Sequence, residues 1–194
     1  MPLAIPGPTP SYRPVMIFID GGYLRENLKK EFGDDGILID GFQRLVYYLV
    51  GFVGKYTPNI KGELIRIYYY DAIVDETEKE KRQEQSSFFA MMRNVPFCTV
   101  RLGRLVKTRE SYRQKGVDIV MAIDMLSKAY AHHYEIAILV AGDGDFVDLV
   151  DAVKDAGKRV YGAYLEKHVS EKLFESFDFA ITLTRGELKW LISQ

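Results

Sequence analysis

Four aspartates hold the positions in this chain where chemistry would concentrate. Asp20 closes the apolar run Val15–Asp20 in the context FIDGGYL, Asp118 opens the segment KGVDIV, and Asp143 and Asp145 follow the apolar run Ile136–Val140 in VAGDGDF. Carboxylates gathered into one crevice repel each other and raise one another's pKa values. A hard divalent cation relieves that repulsion, and Mg2+ or Mn2+ takes oxygen ligands of this kind. One or two such ions activate water and stabilise an in-line displacement at phosphorus. Each aspartate also has a plainer reading. Asp20 before two glycines would start a turn, Asp143 and Asp145 would be turn and helix-capping residues, and Asp118 would be a first-turn acid. Asp71, at the end of a second apolar run, and Asp124, six residues or about 120° around a helix from Asp118, are weaker candidates for outer places around the same centre.

A basic stretch runs directly into Asp118. Residues 101–115 (RLGRLVKTRESYRQK) carry Arg101, Arg104, Lys107, Arg109, Arg113 and Lys115 against one acid, Glu110. Cations beside an acidic metal centre suit a phosphodiester substrate, since they hold the backbone while the metal acts on one phosphate. Tyr112 is placed to stack on a base. The plainer reading of this stretch is a solvated hairpin. Tyr68–Tyr70 reads as core and sheet surface, and His132 and His133 as solvated residues after a helix. No Ser/His/Asp or Cys/His arrangement and no Lys-bearing phosphate loop is recognisable, so covalent catalysis is not supported.

The elements that must position these residues alternate between strand and helix. Val15–Asp20, Glu63–Ala72, Ile136–Val140, Arg159–Leu165 and Phe179–Leu183 read as strands, and Phe97–Val106 as a strand or hairpin arm. Phe42, Leu45, Val46, Leu49, Val50 and Val53 follow helical spacing, and residues 76–93 fit an exposed helix. Val117–Tyr130, with apolar residues at 119, 120, 123, 126 and 130, predicts a helix more buried than most. In Asp145–Ala156 the side chains of Phe146, Leu149, Val150 and Val153 should face in and Asp148, Asp151 and Asp155 out, with Gly157 as the stop. Fully apolar strands alternating with helices predict an α/β fold, a mostly parallel sheet covered on both faces. In such sheets the ligand crevice lies beyond the carboxyl ends of the strands. If the first strand and Ile136–Val140 lie side by side there, the aspartates share that crevice.

Composition narrows the classes. The chain has 194 residues, 47% hydrophobic and 27% charged, which suits one globular domain and excludes collagen-like, coiled-coil and disordered readings. With Cys98 as its lone cysteine it has no intrachain disulfide, and a cytoplasmic setting is expected. A net charge of −1 does not announce a nucleic-acid binder, although local patches decide that question. No run is long and apolar enough to span a membrane, and the first residues do not read as a secretory signal. Five of the seven prolines fall in the first 14 residues, so 1–13 reads as a flexible, Pro-rich arm and 14–194 as a single domain. A homo-oligomer is compatible with the sequence, which does not disclose it.

Three blocks, FIDGGYL, KGVDIVMAIDM and ILVAGDGDFVDLVDAVKDAGKRVYGAYL, together resemble the signature blocks of the NYN domain, in the PIN-like nuclease group that contains the LabA-like (DUF88) proteins. The resemblance covers about residues 15 to 184. It implies a Rossmann-like three-layer sandwich and Mg2+- or Mn2+-dependent cleavage of RNA, most simply single-stranded. By motif match, Asp20, Asp118, Asp143 and Asp145 take the acidic-centre positions. One departure stands out: many members carry Asn two or three residues after the first Asp, where this chain has Gly22 and Tyr23. Two alternatives stay open, a non-catalytic RNA-binding or regulatory protein that retains the fold, and a haloacid-dehalogenase-like phosphatase. GDGDFVDLVDAVKDAG looks like the last motif of such phosphatases, but they need a second carboxylate two residues after the first, where this chain has Gly22.

Overall fold

The computed structural model describes residues 10–33, 39–55, 59–74, 78–107 and 112–192; for 39–40, 105–107, 112–115 and 192 it describes the backbone alone. The chain runs β1 (Ser11–Asp20), α1 (Gly21–Phe32), α2 (Ile39–Phe52), β2 (Ile60–Val74), α3 (Lys79–Arg93), β3 (Cys98–Lys107), β4 (Tyr112–Lys115), α4 (Val117–Tyr130), β5 (Ile136–Val140), a 3-10 turn (Gly144–Phe146), α5 (Val147–Asp155), β6 (Arg159–Leu165), α6 (Glu171–Ser176), β7 (Phe179–Leu183) and α7 (Arg185–Ile192). The sheet order is β4-β3-β2-β1-β5-β6-β7. Six strands are parallel, and β4 returns antiparallel against β3 as the edge of a hairpin. The order reverses at β1: β2 and β3 build outward on one side, and β5, β6 and β7 on the other.

Strand alternation divides the core into two layers. Val15, Ile17 and Ile19 of β1 join a cluster with Leu24, Leu45, Phe89 and Leu188 from α1, α2, α3 and α7. Met16 and Phe18 point the other way, into a cluster with Met121, Val150 and Leu173 from α4, α5 and α6. Helices therefore cover both faces, which is the expected three-layer α/β sandwich. All five residues of β5 are buried, as a strand deep in a parallel sheet must be.

Three local outcomes differ from the sequence reading. First, β1 begins at Ser11, and Ser11, Tyr12 and Arg13 pair with Ile60, Lys61 and Gly62. Strand pairing thus claims the last three residues of the expected arm; residues 1–9 lie outside the described residues. Second, α1 is a helix that apolar spacing scarcely announces, because Arg25, Glu26, Lys29 and Lys30 dominate it. Its start is set by Asp20, whose carboxylate accepts a hydrogen bond from Tyr23 N at 2.9 Å. Gly21 opens the helix because a Cβ there would stand 2.4 Å from the Tyr69 ring.

Third, α4 is oriented otherwise than its apolar stripe suggests. The buried side chains are Val117, Met121, Asp124, Met125 and Ala129, whereas Ile119, Val120, Ile123 and Tyr130 are exposed. The helix is apolar nearly all round, so its composition could not say which face meets the sheet. Met125→Ala is expected to cost about 2–5 kcal/mol, while Ile119→Ala should change the stability of the monomer by less than about 0.5 kcal/mol. Chemical denaturation of the two variants in dilute solution checks this orientation.

Candidate active site

The reversal of strand order places a crevice between the carboxyl ends of β1 and β5, where ligands bind in open α/β sheets. Ile19 pairs with Val140, so the next residues on the two strands, Asp20 and the loop Ala141–Gly142–Asp143, form the two lips of this crevice. The loop is tightly held. A Cβ on Gly142 would lie 2.1 Å from the backbone oxygen of His168 and 2.4 Å from the Tyr23 ring, so only glycine fits there. Gly142 O accepts from Ser170 N at 2.9 Å, which fastens the loop to the segment before α6.

The plain capping roles hold for two of the aspartates, and they do not exhaust them. One oxygen of Asp20 accepts from Tyr23 N, and one oxygen of Asp143 accepts from Asp145 N at 3.1 Å. A carboxylate fixed through one oxygen presents the other in a set direction. Asp118 stands in the first turn of α4 with its side chain exposed, and Asp143 and Asp145 are exposed as well.

Electrostatics tie these groups together. Burial pushes the Asp20 carboxyl up to about 6; the Tyr23 hydrogen bond opposes the rise, and the charges of Asp118, Asp71 and Glu26 add to it. Asp118 is raised too, by the low-dielectric mass beneath it and then by Asp143 and Asp145. Asp118 thus links three separated stretches of sequence: its charge acts on Asp20, and the charges of Asp143 and Asp145 act on it. Among the described residues, none of the four makes an ion pair with a cation. Nor do three or more His, Cys, Asp or Glu side chains among the described residues form a ready-made metal cage. The donor set is nevertheless the hard-oxygen set that suits Mg2+ or Mn2+. Mg2+ usually keeps several waters and binds through one or two carboxylates, so a closed cage is not what it requires.

The two weaker aspartates part company. Asp71 is fully buried within β2, which continues to Val74 rather than ending at Ala72; it is close enough to raise Asp20, and its carboxylate accepts from Arg25 of α1 at 2.9 Å and Ala72 N at 2.7 Å. Asp124 lies on the opposite face of the sheet, held by Lys128 at 2.5 Å, Arg101 at 3.2 Å and the Tyr70 hydroxyl at 3.1 Å. Its partners make it an anchor for Arg101 and a staple of α4. Arg104 is exposed on β3 and Arg101 half exposed; the side chains of Lys107, Tyr112, Arg113 and Lys115, and the whole of Arg109, lie outside the described residues.

Comparison with known proteins agrees with this architecture. The sequence profile of the NYN domain matches residues 14–184. The chain belongs to the NYN family. That membership places it with the PIN-like nucleases, which generally use divalent metals and act on RNA. No curated protein matches the sequence. Among solved structures, a protein of unknown function from Vibrio parahaemolyticus is similar, at 19% identity with a TM-score of 0.63, over 88% of this chain and 93% of that one. No helix among the described residues is long and apolar enough to cross a membrane.

In this NYN domain the two positions where Asn is common are occupied by Gly22, buried inside α1, and Tyr23. Position 22 thus carries no carboxylate for a phosphatase acid/base. The Tyr23 hydroxyl accepts from Leu165 N at 3.0 Å, so the side chain spans from α1 to β6 and walls the crevice behind Gly142. Arg25 is the cation that sequence reading missed. Its signal, an Arg five residues after a strand-end Asp, becomes meaningful only when β2 lies beside β1 and brings Asp71 under α1. Its side chain is 42% exposed while one nitrogen is fixed to Asp71, the residue whose charge also reaches Asp20.

The raised Asp20 carboxyl carries a pH signature. Above pH 6 Asp20 is charged in folded and unfolded chains alike, and only the folded chain bears the cost of burial and repulsion. Below the unfolded pKa of about 4 it is neutral in both and the cost is absent. Asp20→Asn preserves the cap and should stabilise the metal-free protein above pH 6 by on the order of 3 kcal/mol, about two pKa units. That gain should shrink steadily from pH 6 toward pH 4. Thermal melts across this range check it, and a gain independent of pH would contradict the assignment.

Proposed function

We propose that this NYN protein is a metal-dependent ribonuclease that hydrolyses RNA phosphodiester bonds at the β1/β5 crevice, with Asp20, Asp118, Asp143 and Asp145 as its acidic centre. The observation that carries the reading is the raised pair Asp20 and Asp118, the first raised by the charge of Asp118 and the second by those of Asp143 and Asp145, with no described cation paired to any of the four. A site built this way is incomplete without positive charge, and Mg2+ or Mn2+ supplies it together with a water activated near neutral pH. Asp20 and Asp143, each fixed through one oxygen by a backbone N–H, would hold the ion or its waters through the other. Asp118 and Asp145, both exposed, would close the site from α4 and the 3-10 turn and orient water.

The substrate side is cationic. Arg25 and Arg104, with Arg101 braced by Asp124, lie on the β2–β3 side of the crevice. An Arg whose one nitrogen is held by a carboxylate is pre-oriented to offer its others to a phosphate. The Tyr23 hydroxyl, neutral near pH 7 as any phenol is and pushed further up by burial, adds no repulsion to a polyanion. One observation favours a second reading, a non-catalytic RNA binder: Gly22 and Tyr23 stand where many members of the family carry Asn.

Asp143→Asn separates the two readings. With the parent, Mn2+ should stabilise the fold by about 2.7 kcal/mol at a hundredfold excess over Kd, and a mixed-sequence RNA should be cut only when the metal is present. The variant should fold, bind Mn2+ more weakly and lose cleavage. RNA binding without metal-dependent cleavage by the parent would instead establish the binder.

The cationic side has its own test. Removing Arg25 alone leaves a buried charge, so the paired variant Arg25→Gln/Asp71→Asn is the informative one. It should bind RNA more weakly, with a salt slope shallower by about 0.7 for each phosphate the protein no longer neutralises. The variant with Arg101, Arg104 and Arg109 neutralised should flatten the slope further. An unchanged slope in both would remove the cations from the substrate path.

A further inference from the structure

We propose that the outer face of α4 is a self-association surface, through which two copies of this chain pair their α4 helices antiparallel about a two-fold axis. The side chains of Ile119, Ile123 and Tyr130 are 66%, 62% and 65% exposed, and with half-buried Leu126 they fall within about 60° of arc, directly opposite the face that packs on the sheet. Their spacing is four, three and four residues, the repeat of a helix–helix seam. Val120 and Ser127 flank the seam on one side and Ala122 on the other, so no charged side chain stands in it. The charged residues of α4 lie elsewhere: Asp124 and Lys128 are paired toward the sheet, and Asp118 sits at the helix start.

The spacing identifies the occupant. Four-three-four reads the same in both directions, so a second α4 laid antiparallel sets Ile119 against the partner's Tyr130 and Ile123 against the partner's Leu126. Such self-complementarity is what a two-fold interface requires. Charge agrees at the ends of the seam. Antiparallel pairing brings the acidic start of one helix, with Asp118, toward the end of the other, where the partner's Lys158 ammonium lies 3.0 Å from the partner's His132, and it opposes the two helix dipoles favourably. An RNA strand has no counterpart here, because the face offers no cation to a phosphate. The seam is only about 16 Å long, so the dimer should be weak and concentration-dependent.

Light scattering after size exclusion, at roughly 10–200 µM where a small interface holds, tests the surface. The parent should pass from monomer to dimer over this range. Ile123→Glu should weaken dimerisation by at least about a hundredfold while keeping the parent's circular dichroism, and Tyr130→Lys should do the same should Ile123→Glu prove unstable. Met91→Glu, at an exposed apolar residue of α3 on the other side of the sheet, should leave dimerisation unchanged. A parent that stays monomeric throughout overturns the proposal. So does a dimer that persists in the folded Ile123→Glu and Tyr130→Lys variants.

Discussion

The crowding of carboxylates around the end of β1 is the constraint on which the rest of the molecule depends. A parallel sheet delivers all its carboxyl ends to one edge, and the reversal of strand order at β1 leaves a gap there that side chains from β1, β5 and α4 all border. Asp20 is forced into this gap by its place as the last residue of the central strand. Its neighbours in the sheet are both parallel, so Asp71, next to its β2 partner Tyr70, and Asp143, in the loop that follows β5, come with them.

Negative charge concentrated in this way is destabilising, and the fold treats its acids in two ways. Asp71 and Asp124, the two most buried, have dedicated cations: Arg25 for the first, Lys128 and Arg101 for the second. A lone charge in either place would cost several kcal/mol. Among the described residues, Asp20, Asp118, Asp143 and Asp145 have no such cation, and Asp20 and Asp143 accept from backbone N–H groups. The pairing that neutralises Asp71 fixes Arg25 of α1 over β2, so the relief of this buried carboxylate also ties α1 to the sheet. Tyr23, Gly142 and the segment before α6 supply the rigid wall of the crevice, with glycine at 142 dictated by the close approach of His168 and Tyr23.

The α4 helix joins these requirements. Its first turn contributes Asp118 to the crevice, its inner face seals the second core cluster, and its outer face carries apolar side chains into solvent. A helix that is apolar all round usually lies inside a structure. Here the sheet covers one side only, and the spacing of the exposed residues matches helix packing rather than random scatter.

The alternation of fully apolar strands with helices, and the acids at the ends of those strands, were determined by the sequence alone, because each strand's burial and carboxyl-end position are local properties of a short run. The family signature was equally local, carried by three contiguous blocks. Tertiary structure decided what depends on neighbours. The start of β1 at Ser11 follows from pairing with Ile60–Gly62, which no local pattern in a proline-rich stretch predicts. The roles of Asp71 and Asp124 were settled by which face of the sheet each meets: one looks to α1 and Arg25, the other to α4 and Lys128. The orientation of α4 and the placement of Arg25 were likewise invisible in the sequence. A helix with apolar residues on every side has no preferred face until the sheet chooses one, and an arginine in a polar helix becomes a site residue only when a distant strand sets a buried carboxylate beneath it.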